Sequence, residues 1–82
     1  MNYFYVLHSM LDDAYYYGST TNLKKRVAEH NNKKVNATRY RLPVELVYYE
    51  AYTSISAARK REHQVKKSGS IRTALLKRIA HP

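Results

Sequence analysis

The chain opens on Tyr3-Phe4-Tyr5-Val6-Leu7-His8, a run of aromatic and branched residues that is apolar at odd and even positions alike. Such a run predicts a strand buried on both faces. Met10 to Ala14, with Asp12-Asp13 at its centre, reads as a turn, because Asp tolerates the tight backbone of a hairpin. Tyr15-Tyr16-Tyr17 returns as a second strand and stops at Gly18. Strands joined this closely pair antiparallel. A hairpin centred on residues 10–11 would set Tyr5 across from Tyr16. A glycine that ends a strand often marks a close backbone approach.

The period then changes. Ser19-Thr20-Thr21-Asn22 offers N-cap candidates ahead of residues 23–30, where Leu23, Val27 and His30 share one helical face with Arg26 beside them. Residues 31–43 lack a period, carry Lys33, Lys34, Arg39 and Arg41, and read as an exposed loop closed by Pro43. Residues 44–52 form the third strand, with Leu46, Tyr48 and Glu50 alternating against Val47, Tyr49 and Ala51. Thr53 or Ser54 can cap a second helix running to about Lys67. Its inner stripe is Ile55, Ala58, Glu62 and Val65, and its opposite face holds Arg59, Lys60, Arg61 and Lys67. Ser68-Gly69-Ser70 breaks that helix, and Ile71, Leu75 and Ile79 predict a short third one. The order β-β-α-β-α-α is that of an α+β domain, a three-stranded antiparallel sheet flanked by helices.

Composition narrows the class. At 82 residues there is room for one domain, residues 1–82, and 44% hydrophobic residues are enough for a small core. The absence of cysteine excludes a disulfide framework and a Cys-based zinc site. His8, His30, His63 and His81 are too dispersed for a local metal cluster. Apolar stretches run at most five residues, so the sequence predicts neither a membrane span nor a signal peptide, and a cytoplasmic protein is expected. Fifteen Lys and Arg against six Asp and Glu leave a net charge of +9, beside nine tyrosines. That balance points to a polyanionic partner, most simply nucleic acid.

The chemistry concentrates on a few residues. Glu62 puts a carboxylate on an inner stripe, which costs several kcal/mol unless it is paired, hydrogen-bonded or on a metal. An ion pair with Arg59, Arg61 or another cation would satisfy it; so would a Mg²⁺-type ion that completes its shell with water and substrate phosphate. Arg26 and His30 are i, i+4 partners. They can be a snorkelling arginine and a helix C-terminal histidine, or a phosphate clamp with a proton-transfer partner. The strand tyrosines can be amphipathic core. Tyr5 and Tyr16 could instead aim two phenols at one point, where a base of pKa near 10 would need cationic neighbours such as Arg26.

Tyr3-Phe4-Tyr5, ten residues, Tyr16-Tyr17-Gly18, then Arg26, His30 and the distant Glu62 resemble the GIY-YIG nuclease domain, over nearly the whole chain. The resemblance closely suits the short, stand-alone bacterial members. Tyr3-Phe4 and Tyr17 depart from the motifs at packing positions. The resemblance implies an α+β endonuclease that hydrolyses phosphodiester bonds with one divalent ion, Mg²⁺ or Mn²⁺, held by Glu62. It further implies Arg26 neutralising phosphoryl charge and Tyr5 as general base, with Tyr16 and His30 orienting or assisting. DNA is the expected substrate, branched, damaged or single-stranded, with Lys33, Lys34, Arg39 and Arg41 gripping phosphates. The alternatives are a nucleic-acid-binding module of this fold with little or no catalysis, and a basic protein docking on an acidic partner or ribosome.

Overall fold

Six elements follow one another in a computed structural model that describes residues 1–80, with His81 outside them. They are β1 (Asn2–Ser9), β2 (Tyr15–Thr20), α1 (Leu23–Asn31), β3 (Val44–Tyr52), α2 (Ile55–Lys67) and α3 (Gly69–Ala80). The three strands form one antiparallel sheet in the order β2-β1-β3. The fold is therefore the expected α+β arrangement.

β1 sits in the middle because both of its faces are apolar. Phe4 and Val6 are fully buried against Val65 of α2 and Leu75 of α3. Tyr5 and Leu7 point the other way and pack with Val44, Leu23 and Val27, so α1 covers that side. Burying a side chain of this size contributes about 1.5–3 kcal/mol. The helices start where polar side chains take up free backbone N–H groups. Asn22 accepts from the Lys25 amide at 3.1 Å, and Ser54 accepts from the Ala57 amide at 3.1 Å. Ser68 closes α2, its amide bonding the Gln64 carbonyl, and its hydroxyl accepts from the Ile71 amide in the first turn of α3.

Three expectations need correction. Tyr5 pairs with Gly18, and Tyr16 with Leu7, so the hairpin register lies two residues from the expected one. Ser9 draws the turn tight, its amide bonding the Ala14 carbonyl at 2.8 Å. A two-residue shift preserves the face, so Tyr5 and Tyr16 are diagonal neighbours rather than opposite ones. β2 also continues through Gly18 to Thr20, and α3 begins at Gly69 rather than Ile71.

The third correction concerns Arg61, which does not join the solvated face of α2. Val6 pairs with Tyr48 but Leu7 pairs with Leu46, so Val47 is an extra, bulged residue in β3. Beyond the bulge Glu50 lies opposite Phe4, on the side of α2 and α3. There its carboxylate accepts from Tyr48, from Tyr52 and from the Arg61 fork at 3.0 and 3.2 Å. Burial works against the Glu50 charge, but the phenols and the guanidinium outweigh it and hold its carboxyl below the usual range.

Candidate active site

A cleft of about 390 Å³ runs along β2, and Tyr15 to Ser19 all line it. Successive strand residues point to opposite faces, so five in a row place the cleft on the strand's outer edge. β2 is an edge strand, and α1 and α2 contribute the remaining walls with the loop that follows α1. Cations on the helices thus face a groove whose floor is uncharged.

Tyr5 enters the cleft across Gly18. A Cβ on Gly18 would stand 2.3 Å from the Tyr5 hydroxyl and 2.4 Å from its Cζ. Gly18 has no positive φ. The position therefore demands space for the Tyr5 ring rather than glycine's conformational freedom. The ring is 2% exposed and its hydroxyl lies 2.9 Å from His30 Nε2. His30, 4% exposed in the last turn of α1, reaches Thr38 Oγ1 with Nδ1 at 2.8 Å. Both imidazole nitrogens are engaged, which fixes the ring's orientation.

Burial lowers the His30 pKa to about 4, with the Arg26 charge as a second cause, so the ring is neutral near pH 7. A neutral imidazole accepts at one nitrogen and donates at the other. Accepting from Tyr5 at Nε2 and donating to Thr38 from Nδ1 leaves the Tyr5 oxygen free to accept from Arg26 Nε, 3.4 Å away. Burial raises the Tyr5 pKa and outweighs the hydrogen bond and charge of Arg26, which act to lower it. Arg26 does not ionise the phenol, contrary to the role expected of it. Tyr5 is a neutral hydroxyl with a proton acceptor on one side and a guanidinium on the other.

Glu62 faces the same cleft from α2. Its Oε1 accepts from the Ser19 hydroxyl at 2.6 Å, and its Oε2 from Lys66 Nζ at 2.6 Å. The cation beside this carboxylate is therefore Lys66, one helical turn on, and not Arg59 or Arg61. Tyr16 lines the cleft as well. Among the described residues no group of three or more His, Cys, Asp or Glu comes together. One carboxylate on an accessible cleft, already drawing a cation, fits a Mg²⁺-type ion that fills its shell with water and phosphate oxygens.

The GIY-YIG catalytic domain family matches residues 1–71. The chain belongs to the GIY-YIG family. A UPF0213 protein of Natronomonas pharaonis is 50% identical over 66 residues, covering 79% of this chain and 76% of that one. A UPF0213 protein of Streptococcus pyogenes serotype M3 is 52% identical over 66 residues, covering 79% and 71%. The solution NMR structure of a UPF0213 protein from Bacillus halodurans, 33% identical, superposes with a TM-score of 0.61 over 100% of this chain and 89% of that one. The family is one of nucleases that generally use divalent metal ions, and its membership implies a nuclease-type function acting on nucleic acid.

In this GIY-YIG domain, Tyr5, Tyr16, Arg26, His30 and Glu62 all line one cleft, drawn from β1, β2, α1 and α2. The loop cations are dispersed by comparison. Lys33 and Lys34 are exposed, Arg39 lies over the Tyr40 ring, and Arg41 pairs with Asp12 at 3.4 Å. Three residues escaped the sequence reading. Lys66 stands four residues after Glu62, a spacing that pairs side chains on any helix. Ser19 follows Gly18 but carries no signal of its own. Thr38 is fully buried inside what reads as an exposed loop.

Proposed function

We propose that this chain is a cytoplasmic endonuclease, a single domain over residues 1–82, that hydrolyses phosphodiester bonds in DNA with Mg²⁺ or Mn²⁺. The observation that carries the reading is the hydrogen-bonded chain from Arg26 through Tyr5 to His30, facing Glu62 across one cleft. A net charge of +9 supports a polyanionic substrate. No described helix is long and apolar enough to cross a membrane.

Glu62 would hold the ion, whose contribution is Lewis-acid charge at the phosphate. The chain's own residues do the rest. Arg26 presents its remaining N–H groups to a phosphoryl oxygen, a planar donor set suited to the charge that builds there. The attacking water gives a proton to the Tyr5 oxygen as Tyr5 passes its own to His30 Nε2. The new P–O bond forms while the bond to the leaving oxygen breaks, and that oxygen takes a proton from solvent. A phosphate on Arg26 also offsets one of the two influences that depress the His30 pKa, so substrate makes the ring a better acceptor. Tyr16 borders the water's approach. Lys33, Lys34, Arg39 and Arg41 hold backbone phosphate outside the cleft.

The deciding experiment is cleavage of labelled DNA by Glu62→Gln, with binding measured separately in EDTA. Cleavage should fall by about two orders of magnitude or more while binding persists. Unchanged cleavage by the purified variant would remove Glu62 from the mechanism.

A further inference from the structure

We propose that the sheet face beside the cleft is a stacking platform for unpaired bases, so that the DNA engaged here is single-stranded. The inference rests on the hydrolase reading and deepens it by naming the substrate class.

Strand pairing assigns the face. Tyr5 lies opposite Gly18 on one side and opposite Tyr49 on the other. Residues directly opposite share a face, and so do residues two apart on one strand. Tyr49 and Tyr3 therefore project on the same side of the sheet as Tyr5. α1 packs over Tyr5, Leu7 and Val44 and leaves the rest open. Tyr49 is 54% exposed and Leu46 37%. Tyr3 and Tyr49 meet edge to face with centroids 5.9 Å apart, so the two rings brace one another.

The bulge at Val47 sets the electrostatics of this surface. Glu50 lies opposite Phe4 and Glu45 opposite His8, so both carboxylates of β3 are on the other face. β1 and β2 contain no acidic residue. The face is thus aromatic and free of negative charge. Lys24 and Lys25 are exposed on α1, the helix that borders it, and Arg26 is partly so. Rings stack on the face of any base, and neighbouring cations take the phosphates. A duplex hides its bases within the helix and cannot use the rings. Neighbouring strands are about 4.8 Å apart, so Tyr49 lies about 10 Å from Gly18. That distance is about three stacking steps of 3.4 Å, so a strand lying on the platform leads its backbone into the cleft.

The test uses the full chain in EDTA, where binding is read without cleavage, with fluorescence anisotropy of a labelled single strand and a duplex of equal length. The parent should prefer the single strand. Tyr49→Ala should weaken single-strand binding about 5- to 150-fold and leave duplex binding unchanged. Tyr49→Phe keeps the ring and should bind like the parent. Three results would overturn the proposal: Tyr49→Ala binding the single strand like the parent, Tyr49→Phe losing as much as Tyr49→Ala, or single strand and duplex weakening together. So would sedimentation showing a dimer that Tyr49→Ala abolishes without touching DNA binding, since the face would then join two copies of the chain. If no DNA is cut with Mg²⁺ or Mn²⁺ yet Tyr49→Ala weakens single-strand binding, the hydrolase reading fails and the platform stands.

Discussion

Gly18→Ala tests whether the Tyr5–His30 pair depends on a space that only glycine leaves. The added methyl would stand 2.3 Å from the Tyr5 hydroxyl, 2.4 Å from Cζ and 2.9 Å from Cε2. Carbon atoms pack at about 3.5–4.0 Å, so the ring tip would have to retreat by about 1 Å. Tyr5 is buried against Leu7 and Val44 and has no room behind it. Moving the hydroxyl that far from His30, now 2.9 Å away, carries it out of hydrogen-bonding range. Overpacking of this kind costs about 1–3 kcal/mol, and each kcal/mol lowers Tm by about 4–8 °C in a domain of this size. A misplacement of about 1 Å at reacting groups costs about a hundredfold in rate. Thermal melting and single-turnover cleavage should be measured on Gly18→Ala, Tyr5→Ala and the double variant. With the ring gone, the methyl has nothing to strike, so Gly18→Ala should cost nothing further in the Tyr5→Ala background. Parent-like melting and cleavage for Gly18→Ala, or effects that simply add in the double variant, would refute the reasoning.

Acid should destabilise the fold through His30: the unfolded ring takes up a proton near pH 6.5, the folded one only near pH 4. Between those values the unfolded state binds more protons, so stability falls as pH drops through that window, by up to about 3 kcal/mol. Urea unfolding of the parent and of His30→Gln at neutral pH and near pH 4 checks this, and an equal acid loss in both would contradict it. Lys66→Met removes the ammonium from Glu62 and should tighten Mn²⁺ binding by about 1–2 kcal/mol, or 5- to 30-fold, the Coulomb effect of one charge about 4 Å from a divalent ion in water. Calorimetric titration of parent, Lys66→Met and Glu62→Gln reads it without activity, and equal affinity for parent and Lys66→Met would show that Lys66 does not compete.

The order of elements was legible because each carries its own period, and β1 in the centre followed from its being apolar at both parities. The register of the hairpin was not. It depends on how Ser9 and Asp13 shape the turn, Asp13 adopting φ 60°, and composition does not set that. An error of two residues nevertheless kept Tyr5 and Tyr16 on one face, which is why both still line the cleft. Arg61 was misread because its partner Glu50 is brought round by a bulge, and a parity change inside β3 leaves no mark in the alternation. Lys66 was within reach of the i, i+4 rule that paired Arg26 with His30. Thr38 was out of reach, since a buried hydroxyl inside an aperiodic basic segment looks like any other loop residue until the fold closes around it.

The segment that holds Thr38 is a loop without slack. Thr38 meets His30, the Arg41 carbonyl accepts from Ser9 at 2.7 Å, and the Pro43 carbonyl accepts from the Met10 amide at 2.9 Å. Just beyond, Asn31 clamps both the amide and the carbonyl of Val44 at 3.0 Å. Conformational entropy that a floppy basic loop would lose on meeting a polyanion has here already been lost during folding. Insertions in this stretch, which surface loops ordinarily absorb, would pull on the imidazole that the cleft relies upon. Length here is under the same constraint as side-chain identity.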